Sequence, residues 1–139
     1  MTSPVGRWPI RIYYEDTDHG GAVYYANYLK FFERGRTELL RELGFEQDVL
    51  ARDQQVLFVV TRVAVDYRRP AVFNDRLLVT THPGSPGQAR VGFEQAIYRE
   101  GEEAALCEGR IDVACVDPVR QRPARIPADV RAALAGQRE

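Results

Sequence analysis

Residues 13–44 read YYEDTDHGGAVYYANYLKFFERGRTELLRELG, and the second half of this stretch sets the architecture. From about Ala26 the apolar positions Tyr28, Leu29, Phe32, Gly35, Leu39, Leu40 and Leu43 recur at three- and four-residue spacing, while Lys30, Arg34, Glu38, Arg41 and Glu42 fill the opposite face. Gly44 is a natural stop, because glycine takes the left-handed position after a helix without steric cost. A helix of roughly 19 residues, about 28 Å long, is predicted, enough to cross a small sheet. Gly35 in its middle costs about 1 kcal/mol relative to alanine, which calls for a packing reason such as close approach to a sheet. The stripe by itself says only that a helix lies on a core. Chemistry has to come from the turn before it, Asp16-Thr17-Asp18-His19-Gly20-Gly21.

Outward from the helix the chain reads as strands. Trp8 to Glu15 alternates Ile10, Ile12 and Tyr14 and is predicted as a strand buried on one face. After the helix, Phe45 to Gln54 is a polar connector with a short helical turn around Asp48 to Arg52. Val56 to Tyr67, rich in Val, Phe and Thr, is predicted as a second strand in a central position. Arg68-Arg69-Pro70-Ala71 breaks it, and Phe73-Asn74-Asp75 turns into a third strand, Arg76 to His82. Pro83-Gly84-Ser85-Pro86-Gly87 marks a hairpin to Ala89–Arg99, whose Val91, Phe93, Gln95 and Ile97 alternate. Glu100-Gly101-Glu102 turns again into Ala104–Asp117, and Ala128 to Leu134 forms a short amphipathic helix in the tail. One strand, a long helix and an antiparallel meander make an α+β fold of five strands, a single domain over residues 1–139. One helix on one face leaves the sheet edges open, so a second subunit is expected to cover them.

Composition removes several function classes. At 139 residues and 45% hydrophobic the chain is an ordinary globular domain, and a net charge of −1 offers no bulk attraction to nucleic acid or an anionic membrane. No run reaches the roughly 18 apolar residues that span a bilayer. Met1 to Gly6 has neither a basic start nor an apolar signal core, which predicts a cytoplasmic protein. Cys107 and Cys115, eight apart on one strand, share a face but are too far apart to bridge, and read as reduced, buried thiols. His19 and His82 stand far apart and the thiols lie in a strand, so no metal-ligand set is recognisable. Phosphate loop, dinucleotide fingerprint and Gly-x-Ser-x-Gly elbow are also missing, so neither a metal nor another cofactor is expected.

Asp-x-Asp followed by two glycines, an apolar-aromatic run, Asn27-Tyr28 and a helix carrying Phe32-Glu33-Arg34-Gly35-Arg36 resembles the 4-hydroxybenzoyl-CoA thioesterase family of hot-dog proteins, most of all the YbgC-type acyl-CoA thioesterases. The resemblance is dense over residues 11–45 and thinner at Val65-Asp66-Tyr67-Arg68-Arg69-Pro70-Ala71. It implies a hot-dog fold, hydrolysis of an acyl-CoA, and a homodimer or homotetramer whose sheets join edge to edge with active sites at the subunit interface. By position in the motif, Asp18 matches the family's catalytic aspartate, as nucleophile or general base, and Tyr25 the residue whose backbone N–H polarises the thioester carbonyl. Many YbgC-type chains have histidine where this one has Tyr25.

Taken alone, an Asp-x-Asp-x-Gly-Gly turn reads sooner as a loop or helix cap than as a catalytic site, and it is the resemblance that turns this reading toward Asp18. A carboxylate in a turn before a helix lies near free N–H groups that carry partial positive charge and can bind a developing oxyanion. It can attack a thioester there or activate a water. Gly20 and Gly21 let the backbone turn tightly beside a substrate. His19 and Tyr24 are further candidates for substrate contact, and Asp16 reads as structural. Arg68 and Arg69 suit CoA phosphates or a solvated strand end equally. Tyr28 and Phe32 line either the core or an acyl pocket. Glu33 and Glu38 read as helix-face residues, although another hot-dog lineage carries a catalytic glutamate in its helix. Two other classes stay open: a hot-dog hydratase or dehydratase using His19 beside Asp18, on acyl-CoA or acyl carrier protein, and a non-enzymatic acyl-CoA binder.

Overall fold

In the computed structural model, which describes residues 4–136, the helix predicted from the apolar stripe is α1 (Asn27–Glu42), with β1 (Gly6–Arg11) before it. After it come α2 (Gln47–Gln54), β2 (Leu57–Tyr67), β3 (Arg76–Pro83), β4 (Arg90–Arg99), β5 (Ala105–Asp117), β6 (Arg122–Pro123) and α3 (Ala128–Leu134). The strands form one antiparallel sheet in the order β1-β3-β4-β5-β2, with the two-residue β6 pairing the end of β5. Residues 1–3 and 137–139, part of the expected start and tail, lie outside the described residues.

α1 packs on the sheet through Tyr28, Phe31, Phe32, Gly35, Leu39 and Leu40, all buried. Phe31 and Phe32 are 1% and 0% exposed, and burying each such side chain is worth about 1.5–3 kcal/mol. Leu29, expected in the stripe, is 39% exposed, while Phe31, on the opposite margin of a stripe still centred on Tyr28, Phe32 and Gly35, is buried. Gly35 has the packing reason its position required. A Cβ there would lie 2.8 Å from both Thr81 Oγ1 and Val79 Cγ1 of β3. The polar groups beneath are satisfied: Gln95 Nε2 donates to Thr81 Oγ1 at 2.8 Å and to the Phe32 carbonyl at 2.9 Å, while Arg36 donates to Gln95 Oε1 at 2.9 Å. Partial burial pushes the Arg36 guanidinium down from its usual range.

Four expectations need correction. β1 stops at Arg11 instead of Glu15, because Tyr14–Asp16 winds into a single 3₁₀ turn, which takes Tyr14 out of the buried face to stack on Phe73 at 3.7 Å. The long helix is 16 residues rather than roughly 19, starting one residue after Ala26, and its stop is as read, with Leu43 as the cap and Gly44 next at φ +98°. The turn expected at Asp48–Arg52 is a full helix, anchored by Leu50. β2, expected at the centre, is an edge strand, as β1 is at the other side, and Val59, Val60, Val63 and Tyr67 are all exposed. Its composition reads as central because it is apolar on both faces, which in one chain leaves apolar surface and a row of unpaired backbone groups open.

The remaining strands lie where they were read. The β3–β4 hairpin pairs Pro83 with Phe93 across the Pro/Gly-rich turn, and α3 covers Ala128–Leu134 as expected. Asn74 takes a left-handed φ of 72° in the turn before β3. Cys107 and Cys115 are both buried and free. Among the described residues no helix is long and apolar enough to cross a membrane.

Candidate active site

The Asp18 turn is a small hairpin made by local chemistry. Thr17 bridges Val23, Asp18 N–H donates to the Ala22 carbonyl at 2.8 Å, and Gly21 N–H donates back to the Asp18 carbonyl at 3.1 Å. Gly21 sits at φ +81°, the left-handed position that closes such a three-residue loop and that a side chain would strain. Asp18 Oδ1 accepts the Gly20 N–H at 2.9 Å, which fixes the carboxylate while leaving it exposed. His19 is exposed, and among the described residues its side chain makes no hydrogen bond, to Asp18 included.

Asp16 scaffolds this turn. Its Oδ2 accepts the Tyr13 N–H at 2.9 Å, and its carbonyl accepts both Tyr24 N–H at 3.0 Å and Asn27 Nδ2 at 2.9 Å. Asn27, buried, is the first residue of α1, so the Asp18 turn and the helix start are tied through one carbonyl. A second tie comes from the β2–β3 connection, where Ala22 bridges Val72 and Val23 N–H donates to the Ala71 carbonyl at 2.8 Å.

At the helix start the N–H groups of Asn27, Tyr28 and Leu29 turn inward to the carbonyls three residues back, at 2.9, 3.3 and 3.2 Å. That leaves the N–H groups of Tyr25 and Ala26 with no acceptor among the described residues. Ala26 has helical φ and ψ of −67° and −21°, so the pair stands in the last turn before α1, where the helix's partial positive charge is greatest. A fixed, exposed carboxylate, in a turn tied through the Asp16 carbonyl to a helix start with two free N–H donors, can serve nucleophilic or general-base attack on a carbonyl whose oxygen those donors receive.

The other candidates separate. Tyr24 is 48% exposed and leans on Tyr25, while Tyr28 and Phe32 are core. Tyr28 also accepts the Ala71 N–H at 2.9 Å through its hydroxyl. Arg68 pairs with Glu108 at 2.7 Å and Arg69 with Glu102 at 3.1 Å, both exposed pairs of the kind worth little and easily exchanged. His82 is exposed on β3. Glu33 bonds Thr37 on the flank of an apolar cleft of about 140 Å³ between α1 and the inner face of β2, β4 and β5, where Phe58, Val60 and Phe93 form the wall. Two groups touching the turn were not marked as site groups by the sequence. Asn27 is detectable as a polar residue opening an apolar stripe. Tyr67 hydrogen-bonds Tyr25 from a strand 42 residues away and leaves no local signal. No cluster of His, Cys, Asp and Glu among the described residues could hold a metal ion.

Residues 13–134 match the Thioesterase-like superfamily. The chain is 45% identical over 127 residues to the acyl-CoA thioesterase YbgC of Haemophilus influenzae, spanning 91% of this chain and 92% of that protein. It is 41% identical over 130 residues to the acyl-CoA thioester hydrolase YbgC of Escherichia coli, spanning 94% and 96%. A probable thioesterase from Bartonella henselae superposes with a TM-score of 0.83 at 34% identity, over 89% of this chain and all of that one. With an α+β fold of one long helix on an antiparallel sheet, and a match running from the Asp18 turn to the last helix, this chain belongs to the hot-dog thioesterases, in the YbgC-like branch of the thioesterase-like superfamily.

Proposed function

We propose that Asp18 and the free N–H groups of Tyr25 and Ala26 hydrolyse the thioester of an acyl-CoA to free acid and CoA. That the chain is an acyl-CoA thioesterase follows from its YbgC relatives. How its residues do the chemistry is the proposal. The observation that carries it is the pairing of one fixed, exposed carboxylate with two unsatisfied donors at a helix start. The thioester oxygen takes the N–H pair, and negative charge grows there as Asp18 attacks the carbonyl carbon or takes a proton from a water that does. The thiolate of CoA then leaves. Tyr25 contributes its backbone, so its phenol is dispensable to the step. Gly20 and Gly21 keep the turn low, and His19 and Tyr24 border the approach. Arg68 and Arg69 reach CoA phosphates by exchanging their exposed carboxylate partners.

The site is completed by a second subunit in this reading. β2 is an apolar edge strand, and antiparallel self-pairing about its middle is isologous and closes the β2 edge of both protomers. It sets the Tyr67 end of one strand beside the Leu57 end of the other, which brings the Asp18–Tyr25 region of one protomer to the apolar cleft of its partner. Pairs of such dimers then give the tetramer.

A panel of acyl-CoA thioesters with free-thiol readout tests the activity. Release of thiol from at least one thioester well above buffer is expected, and rates no better than buffer throughout contradict it. A single turnover in ¹⁸O water tests for the covalent route: label in the Asp18 carboxylate with an unlabelled product acid means an anhydride opened at the Asp18 carbonyl, and label in the product acid alone means that water attacked the acyl carbon.

A further inference from the structure

The Tyr25 carbonyl receives two donors. Tyr28 N–H reaches it at 3.3 Å from within the helix start, and the Tyr67 hydroxyl reaches it at 3.2 Å from the end of β2. The peptide plane that contains this carbonyl also contains the Ala26 N–H, one of the two donors left without an acceptor. A hydrogen bond accepted by a peptide oxygen fixes the tilt of that plane and draws electron density from its nitrogen, which makes the N–H on the far side a stronger donor.

Tyr67 is itself held. Its ring meets Tyr25 edge-on at 6.0 Å and tilts against Tyr28 at 5.5 Å, and Tyr28 is anchored by the Ala71 N–H to its hydroxyl. Ala71 in turn accepts Val23 N–H beside the Asp18 hairpin. Partial burial, with the Cys107 and Tyr25 groups nearby, pushes the Tyr67 phenol up from its usual range, which keeps it a proton donor at neutral pH.

We infer that Tyr67 is a positioning residue for thioester hydrolysis: from the edge strand, its hydroxyl orients and polarises the Tyr25–Ala26 peptide, so that Ala26 N–H joins Tyr25 N–H in receiving the thioester oxygen. The inference rests on the proposed role of the N–H pair. At 3.2 Å the bond is longer than the common O–H···O spacing, so its effect is smaller than that of a donor itself. Tyr67→Phe keeps the ring packing and removes the hydroxyl. The expected result is a fall in kcat of about tenfold, below the 10²- to 10³-fold cost of deleting an oxyanion donor, with KM changed less than about twofold.

Infrared difference spectra of a bound acyl-CoA carrying a ¹³C thioester carbonyl supply the reading a merely structural role would not move, using Asp18→Asn to hold the substrate intact. In Asp18→Asn the carbonyl band should fall below its position in water, and adding Tyr67→Phe should return part of that shift. 3-Fluorotyrosine at position 67, a stronger donor of nearly the same shape, should move the band further down, and it covers the case in which Tyr67→Phe does not fold. An unshifted band on Tyr67→Phe or on fluorination, with or without a loss of kcat, overturns the positioning role while leaving the N–H pair in place. A band in Asp18→Asn no lower than in water removes the N–H reading itself, and the Tyr67 inference with it.

Discussion

Asn27 donates through its side chain to the Asp16 carbonyl at 2.9 Å, joining the first residue of α1 to the turn that presents Asp18. The carboxylate and the N–H donors are therefore two ends of one hydrogen-bonded unit, and the first prediction concerns that link. Asn27→Ala should cost about 1–2 kcal/mol of stability for the lost buried hydrogen bond. Turnover should fall about tenfold or more through misplacement of the attacking group. Denaturant melts beside kcat check both, and a stable variant with unchanged kcat would show that the link does not position the site.

Gly35→Ala sets two effects against each other. Helix propensity favours alanine by about 1 kcal/mol. The added Cβ would lie 2.8 Å from Thr81 Oγ1 and Val79 Cγ1, which belong to β-branched side chains with little freedom to move aside. Overpacking of this kind costs about 1–3 kcal/mol, so net destabilisation is expected in a thermal melt.

The helix and its stop, the Pro/Gly-rich hairpin, the tail helix and the need for Gly35 to touch a sheet were legible in the sequence because each rests on local periodicity or turn chemistry. The rank of β2 in the sheet was not. Val59, Val60 and Val63 carry the same apolar pattern whether the covering surface belongs to the same chain or to another, so periodicity cannot tell an edge built for pairing from a centre. Of the proposed site groups, Asp18, Tyr25 and the glycines are named by the turn and the family motif. Tyr67 and the free Ala26 N–H arise from tertiary placement and from which carbonyls the first helical N–H groups choose, and a single sequence records neither.

Self-association through β2 predicts that Val63→Lys, at a position 42% exposed in one chain, leaves the chain folded but sets a charge in the pairing edge. Sedimentation at micromolar concentration should show the wild-type chain as a dimer or tetramer and the variant shifted to monomer, with activity lost alongside. A wild-type monomer that keeps full turnover on dilution would contradict an interface site.

Burial pushes the Cys107 thiol up from 9.0 to about 12, with Glu108 adding to the rise. The unfolded chain therefore releases this proton near pH 9 while the folded chain keeps it. The stability this group supports is whole below about pH 9 and is lost as pH rises toward about 12. Between pH 7 and 8.5, labelling of Cys107 by a thiol reagent should follow unfolding in denaturant. Prompt labelling of the native chain at this position would contradict its burial.

The central claim is that the Asp18 carboxylate drives the attack, as nucleophile or as general base. Asp18→Asn keeps the shape of the side chain and its acceptor for the Gly20 N–H but removes charge and basicity. Steady-state hydrolysis of the best acyl-CoA should fall at least about 100-fold, the low end for general-base catalysis. Binding of a non-hydrolysable thioether analogue should stay within about threefold, because in the proposed reading the ground state is held by the apolar cleft and by Arg68 and Arg69 on the phosphates. Asp16→Asn should lose stability first, since its carboxylate holds the Tyr13 N–H. A folded Asp18→Asn that turns over at near the wild-type rate, or a panel in which Glu33→Gln is the variant that loses activity, would contradict the account.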